Sequence, residues 1–305
     1  NIIRQKATEI ASEATGMNIS VQRIDLRFPL NLLVRGVKVV QEPDTLLDLQ
    51  SLSVRVQAWP LLKGQVEVDE VLLEDAVVNS ANFIEGIHVQ GNLGRFFLES
   101  HGIDLSGEEI VLNEIELNDT KVAVLMNDTT TAPPDSASAP LNWKINLHSL
   151  ALNNVDVALN MPLDSMRLSA RLGSAKVLNA KADLLKQHYA CQHFAMDKTA
   201  LTYDVGYATP VAGFDPSHIA LRDIAIGIDS LLFAGENLGA VIQKFSLSER
   251  SGLSLVSVDG RLRADTSVVE VPQLRLRTAH SEMNLRAHTY WRMINMPTTG
   301  HLTAR

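Results

Sequence analysis

Leu150-Ala151-Leu152-Asn153-Asn154-Val155-Asp156-Val157 is the stretch on which the fold turns. Apolar residues alternate with small or polar ones in each arm, and two polar residues separate the arms. Alternation with period two is the mark of a strand with one apolar and one wet face. The two-residue break permits either a tight hairpin or a bulge, and both keep the apolar side chains on one face. The same pattern recurs as Leu32-Leu33-Val34, Arg35-Gly36, Val37-Lys38-Val39, and as Val71-Leu72-Leu73, Glu74-Asp75, Ala76-Val77-Val78. It returns as Ile115-Glu116-Leu117, Asn118-Asp119, with Thr120, Val122 and Val124, and as Ile219-Ala220-Leu221, Arg222-Asp223, Ile224-Ala225-Ile226. Loose repetition of one supersecondary unit predicts a repeated β-meander.

Outward from these repeats the texture persists. Leu52, Val54 and Val56 alternate with polar residues, as do Val66 and Val68, Ile145 and Leu147, and Leu274 and Leu276. Two short helices are expected. Residues 1–15 place Ile3, Ala7, Ile10 and Ala14 on one helical face, with Gly16 following. Asn92–His101 places Leu93, Phe96 and Phe97 together, with Gly102 as terminator. The Pro-, Ser- and Thr-rich stretch 129–140 reads as an exposed loop. It divides the chain into a β-module with a leading helix at 1–128 and a continuing β-module at 141–305. The first residue is Asn and the last residues still read as strand, so the chain is expected to be a piece of a longer protein.

Composition narrows the function. Among 305 residues, 27 Lys and Arg stand against 35 Asp and Glu, a net charge of −8, which argues against a nucleic-acid partner. A single cysteine, Cys191, excludes an intramolecular disulfide framework. The apolar share of 46% is aliphatic, with only 5% aromatic residues. Two short helices cannot cover the apolar faces of so many strands. The solutions are a second sheet, closure into a barrel, or a curled antiparallel sheet whose interior holds an apolar ligand. Expected inward-facing residues are Leu32, Val34, Val37, Val39, Val54, Val56, Val66, Val68, Val71, Leu73, Leu150, Leu152, Val155, Val157, Ile224 and Ile226.

Several segments resemble the AsmA/TamB family of the Gram-negative envelope. Ile10-Ala11-Ser12-Glu13-Ala14-Thr15-Gly16-Met17-Asn18-Ile19-Ser20-Val21 resembles the family's helix, Thr-Gly break and first strand. Phe28-Pro29-Leu30-Asn31-Leu32-Leu33-Val34-Arg35-Gly36-Val37-Lys38-Val39-Val40 resembles its next hairpin. Asp44-Thr45-Leu46-Leu47, Leu49, Leu52-Ser53-Val54 and Leu61-Leu62-Lys63-Gly64 resemble the strands and turn that follow. Asn142-Trp143-Lys144-Ile145, Glu249-Arg250-Ser251-Gly252-Leu253 and Thr278-Ala279-His280-Ser281 are similar to the TamB branch of Bacteroides-like bacteria. The resemblance implies a long, curled β-groove in the periplasm, belonging to a parent protein anchored in the inner membrane by a helix preceding residue 1. It implies phospholipid acyl chains as cargo in transport between membranes. It also implies an outer-membrane barrel as partner, reached through a missing C-terminal region. The alternative role is a scaffold for outer-membrane protein assembly that docks strands of that barrel.

No paired carboxylates, triad or phosphate loop stands out, so no enzymatic activity, cofactor or metal is expected. His188, Cys191 and His193 form the nearest approach to a ligand cluster, in which strand alternation places 191 and 193 on one face and 188 on the other. Arg261, Arg263, Arg275, Arg277 and Arg286 read chiefly as charges on the wet side of the sheet, with anionic headgroups as the alternative.

Overall fold

The computed structural model describes residues 5, 12, 15–28, 30–41, 43–57, 68–80, 86–104, 107–127, 142–206, 208–235 and 237–290. Fourteen strands form one sheet in sequence order. They are β1 (Asn18–Arg27), β2 (Asn31–Gln41), β3 (Asp44–Val56), β4 (Val68–Asn79), β5 (Ile87–Asp104), β6 (Glu109–Met126) and β7 (Lys144–Met161). Then follow β8 (Met166–Asp183), β9 (His188–Val205), β10 (His218–Ala234), β11 (Asn237–Glu249), β12 (Ser254–Ala264), β13 (Val268–Thr278) and β14 (Glu282–Tyr290). Every neighbouring pair is antiparallel except β6 and β7, which run parallel on either side of the Pro-rich stretch. The sheet is not closed, since β1 pairs only with β2 and β14 only with β13.

The expected helix at 92–101 is instead the middle of β5. The misreading has a physical cause. Leu93 pairs with Ala76 and Phe96 with Leu73, so both lie on the apolar face although they are three residues apart. Gly94 lies opposite the left-handed Asp75, and the parity reversal there imitates the i, i+3 spacing of a helix. Of the expected helix at 1–15, only Gln5, Ser12 and Thr15 are described, all three helical, and the rest lies outside the described residues. The stretch 129–140 also lies outside them.

The repeated two-residue break is neither a hairpin nor a defect of one strand. In all five copies the second residue of the break has a left-handed backbone inside a continuous strand: Gly36, Asp75, Asp119, Asn154 and Asp223, at φ between 51° and 59°. Lys198 of β9 does the same at φ 50°. Register aligns them. The pairs Arg35–Ser51 and Val37–Leu49 set Gly36 beside Gln50, and Ser51–Glu74 and Leu49–Ala76 set Gln50 beside Asp75. The row continues through Gly94, Asp119, Asn154 and Gly173 to Lys198. One crease therefore crosses the sheet from β2 to β10. In β2, β4, β6, β7, β9 and β10 the residue at this level is left-handed, while Gln50, Gly94 and Gly173 stand opposite in β3, β5 and β8, so the ladders keep their register across the crease while side-chain parity reverses.

Asn and Asp tolerate the left-handed region because their side chains bond locally. Here they also bond to one another, Asn154 Nδ2 to Asp119 Oδ1 at 2.6 Å and Asn153 Nδ2 to Asn118 Oδ1 at 2.8 Å. A shorter second crease marks the long strands, with Asn179 at φ 50° and Ser230 at φ 54°. His148 Nδ1 lies 2.7 Å from Asn179 Oδ1 along it.

Gly173 is required where the crease brings strands together. A Cβ there would lie 2.7 Å from Lys198 Cβ and 2.8 Å from the Lys198 carbonyl oxygen. Gly173→Ala is expected to lower stability by about 1–3 kcal/mol, read from the urea midpoint. Gly239→Ala, whose new Cβ meets only Leu232 Cβ at 3.8 Å, should leave that midpoint nearly unchanged.

Candidate functional site: the continuous apolar face

The crease makes one face of the sheet apolar along whole strands. In β7, Leu150 and Leu152 occupy even positions before it, and Val155 and Val157 occupy odd positions after it. Without the parity reversal, one pair would point to the opposite side. Side chains of directly paired residues share a face, so register extends this assignment across the sheet.

One row runs Leu26–Leu32–Val54–Val71–Leu98–Ile115–Leu150–Val177–Phe194–Ile228–Ile242. The next runs Ile24–Val34–Leu52–Leu73–Phe96–Leu117–Leu152–Ala175–Met196–Ile226 through the same strands. Beyond the crease, Val37, Leu49, Ala76, Leu93, Thr120, Val155 and Leu172 align, with Ile224 against Thr199. A fourth row contains Val39, Leu47, Val78, Val122, Val157, Ala170 and Leu201. Val56 and Val68 pair with each other at a register shift beside Val54. Fifteen of the sixteen expected inward residues thus lie on a single face, and Val66 lies outside the described residues. At about 4.8 Å per strand, the face extends roughly 60 Å across fourteen strands.

Its burial is that of a layer without cover. Among the described residues only eleven apolar side chains are buried, five of them alanine, and no large one is fully buried. Leu32 is 39%, Val157 41% and Phe233 45% exposed. The best-covered row is the one just past the crease. There Leu49, Ala76, Thr120, Val155, Thr199 and Ile224 are buried, while Asp75, Asp119, Asn154, Lys198 and Asp223 at the crease itself are exposed. The hydroxyls of Thr120 and Thr199 reach the carbonyls of Asn118 and Asp197, so neither leaves a polar group unsatisfied there.

Past the second crease, the face opens into a recess of about 360 Å³ lined by Ile145, Leu147, Tyr189, Cys191, Leu231 and Phe233. Tyr189 and Phe233 stack at 6.2 Å between centroids. Burial pushes the Cys191 thiol up from its ordinary value. Strand alternation misassigned this region. The second crease passes between Cys191 and His193, so Cys191 sits in the apolar recess while His193 faces the opposite way and bonds Asp229 at 2.6 Å.

A polar cluster that the sequence reading missed closes one end of the sheet. Asp215, His218 and Glu249 are buried. Glu249 accepts from the backbone N–H groups of Ala220 and Ser251, and Asp215 from those of Val211 and Ser217. Hydrogen bonds from Ser251 hold the Glu249 carboxyl below its usual range, and the bond from Val211 does the same for Asp215. Val211, Ser217 and Ser251 lie within four residues of the carboxylates they bind, so the local signals of this clasp are Asp215-x-Ser217 and Glu249-x-Ser251, while nothing in the sequence links Glu249 to Ala220 of β10.

No protein-family model matches the chain, and comparison with curated proteins finds no match.

Two outcomes follow from this chemistry. Cys191 should react with iodoacetamide at neutral pH more slowly than a free thiol, with a rate that rises steeply into alkaline pH. The clasp should make the fold acid-sensitive. Its carboxyls are depressed in the folded state, so their contribution is complete above the unfolded value of about 4 and is lost as pH falls through the folded values. Urea midpoints measured from neutral to acid pH should fall less steeply for Glu249→Gln than for the parent chain.

Proposed function

We propose that this chain carries lipid acyl chains on its open apolar face, as part of an intermembrane phospholipid transporter in the Gram-negative periplasm. The observation that carries the reading is a row-by-row continuous aliphatic face with no covering layer among the described residues. Contiguous exposed apolar surface of this extent marks a binding surface. The resemblance of residues 10–64 to the AsmA/TamB family supports the same reading, including a parent protein anchored in the inner membrane.

No catalytic group is needed. An acyl chain that leaves a bilayer for water loses about 0.8 kcal/mol per CH₂. A chain that passes from bilayer to the rows around Val54, Leu152 and Val155 stays in an apolar environment, and its headgroup stays in water. The buried row beside the crease gives the groove its floor. The low aromatic content leaves few bulky ring edges along the track.

The open edges favour a second reading. Among the described residues, β1 and β14 each present one unpaired side, which suits strand addition by a partner barrel during outer-membrane protein assembly.

Mass spectrometry of organic extracts from the purified chain should show phospholipid in at least equimolar amount. Val157→Lys, at a position already 41% exposed, should fold normally and lose most of that lipid. Lipid-free parent protein, or a Val157→Lys variant with undiminished lipid, would leave the scaffold as the better account.

A further inference from the structure

Three turns at one end of the sheet carry large apolar side chains that the sheet does not bury. From β7 onward the strands form an antiparallel meander, so alternate turns fall at the same end. At that end stand the β7–β8 turn at 162–165, the β9–β10 loop at 206–217 and the β11–β12 turn at 250–253. They expose Leu163, Val211, Phe214 and Leu253, each between 48% and 63% accessible. Among the described residues of the turns at the opposite end, 184–187, 235 and 265–267, only Leu185 is a large exposed apolar side chain.

The β9–β10 loop is the longest of these connections. Ala208, Thr209, Pro210, Val211, Ala212, Gly213 and Phe214 are all exposed, and none is charged. The loop's one acid, Asp215, is buried and turned inward. Its Oδ2 accepts from the Val211 N–H and its Oδ1 from the Ser217 N–H, both at 3.1 Å.

The three turns are tied together. The Gly206 N–H donates to the Ser165 carbonyl at 2.8 Å, and Arg250 Nη2 donates to the His218 carbonyl at 2.9 Å. Glu249 joins the Ala220 N–H of β10 to the Ser251 N–H of the third turn. The clasp thus holds a row of tips whose backbone donors at Val211, Ser217 and Ser251 already have partners. That lowers the cost of bringing them into an apolar layer.

Apolar residues exposed singly need no explanation, but a row of them does. Successive tips stand two strands apart, about 10 Å, so the row spans about 20 Å. A protein partner would need a separate pocket for each tip. The interfacial layer of a bilayer takes apolar tips without matching their shape. The apolar face also runs into the row without a charged residue. Leu159, Leu168, Tyr203 and Ile219 pair across β7–β10, and Met161, Met166 and Val205 follow at the strand ends.

We propose that this rim, formed by Leu163, Val211, Phe214 and Leu253, is a membrane-contact edge that enters the interfacial layer of a phospholipid bilayer. Exposed charge on the three turns is balanced, Asp164 against Arg250, so the contact is apolar rather than electrostatic and suits a neutral bilayer. It goes beyond the acyl-chain reading and stands without it, because the rim lies outside the rows that would hold cargo.

Phosphatidylcholine vesicles test this with Val211→Cys, Leu253→Cys and Leu185→Cys, each in a Cys191→Ser chain and labelled with an environment-sensitive fluorophore. Vesicles should shift the emission to the blue at 211 and 253, with quenching by nitroxide lipid, and should leave 185 unchanged. The shift should persist at about 1 M salt, where charge is screened beyond about 3 Å. In co-sedimentation, Val211→Ser/Phe214→Ser, with circular dichroism matching the parent, should bind the vesicles about tenfold more weakly or worse. Val157→Lys should bind them as the parent does, which separates the rim from the apolar face. A parent chain that leaves the vesicles unbound overturns the proposal and gives the rim to a protein partner. So does an equal shift at 185, binding abolished by salt, a rim variant that binds as tightly as the parent, or a Val157→Lys variant that loses as much binding as the rim variant.

Discussion

A sheet one layer thick has no interior, so everything about this protein depends on which way its side chains point. Alternation alone would alternate the apolar residues of each long strand between two solvent-exposed faces wherever a single residue is gained. The crease prevents that. One left-handed residue at Gly36, Asp75, Asp119, Asn154, Lys198 and Asp223 reverses parity at the same level in strand after strand. Leu150 and Val155 thereby end on the same side. The buried row lies beside the line that corrects parity. A single backbone device, repeated in register, sets the uniformity of the apolar face.

The same device explains what was legible in the sequence. The strand content, the one-sided apolar pattern and the membership of that side could be read from period two and from the repeated two-residue break. The three-residue spacing across a crease is the ambiguous part. In Leu150–Val157, flanked by clean alternation, it reads as an interruption of a strand. In Leu93–Phe97, where Gly94 lies opposite Asp75 and aromatic residues follow, the same spacing reads as a helical turn. At Cys191–His193 the second crease carries no apolar signature at all, and alternation gave the wrong faces. The clasp around Asp215 and Glu249 was missed because the Asp-x-Ser and Glu-x-Ser turns that hold these carboxylates are common in sequence, and only the contact of Glu249 with Ala220 of β10 joins distant segments.

The two faces differ in chemistry. The aliphatic face bears no charge in its central rows, and on the proposed reading it would offer acyl chains an environment like the one they leave. Because the faces share one backbone, the crease couples them. Asp75, Asp119 and Asn154 at the crease are exposed, while the row beside it is buried. On the proposed reading, a substitution that removes the crease should disturb lipid binding by breaking the apolar face in two.

Site-specific photocrosslinking in cells measures the central claim most directly. A benzophenone side chain placed at Val157 points to the apolar face, and one at the adjacent Ala158 points to the polar face. Phospholipid adducts at 157 and none at 158 are the predicted result. Equal labelling at both positions, or lipid adducts at 158 alone, would contradict an acyl-chain track confined to one face of the sheet.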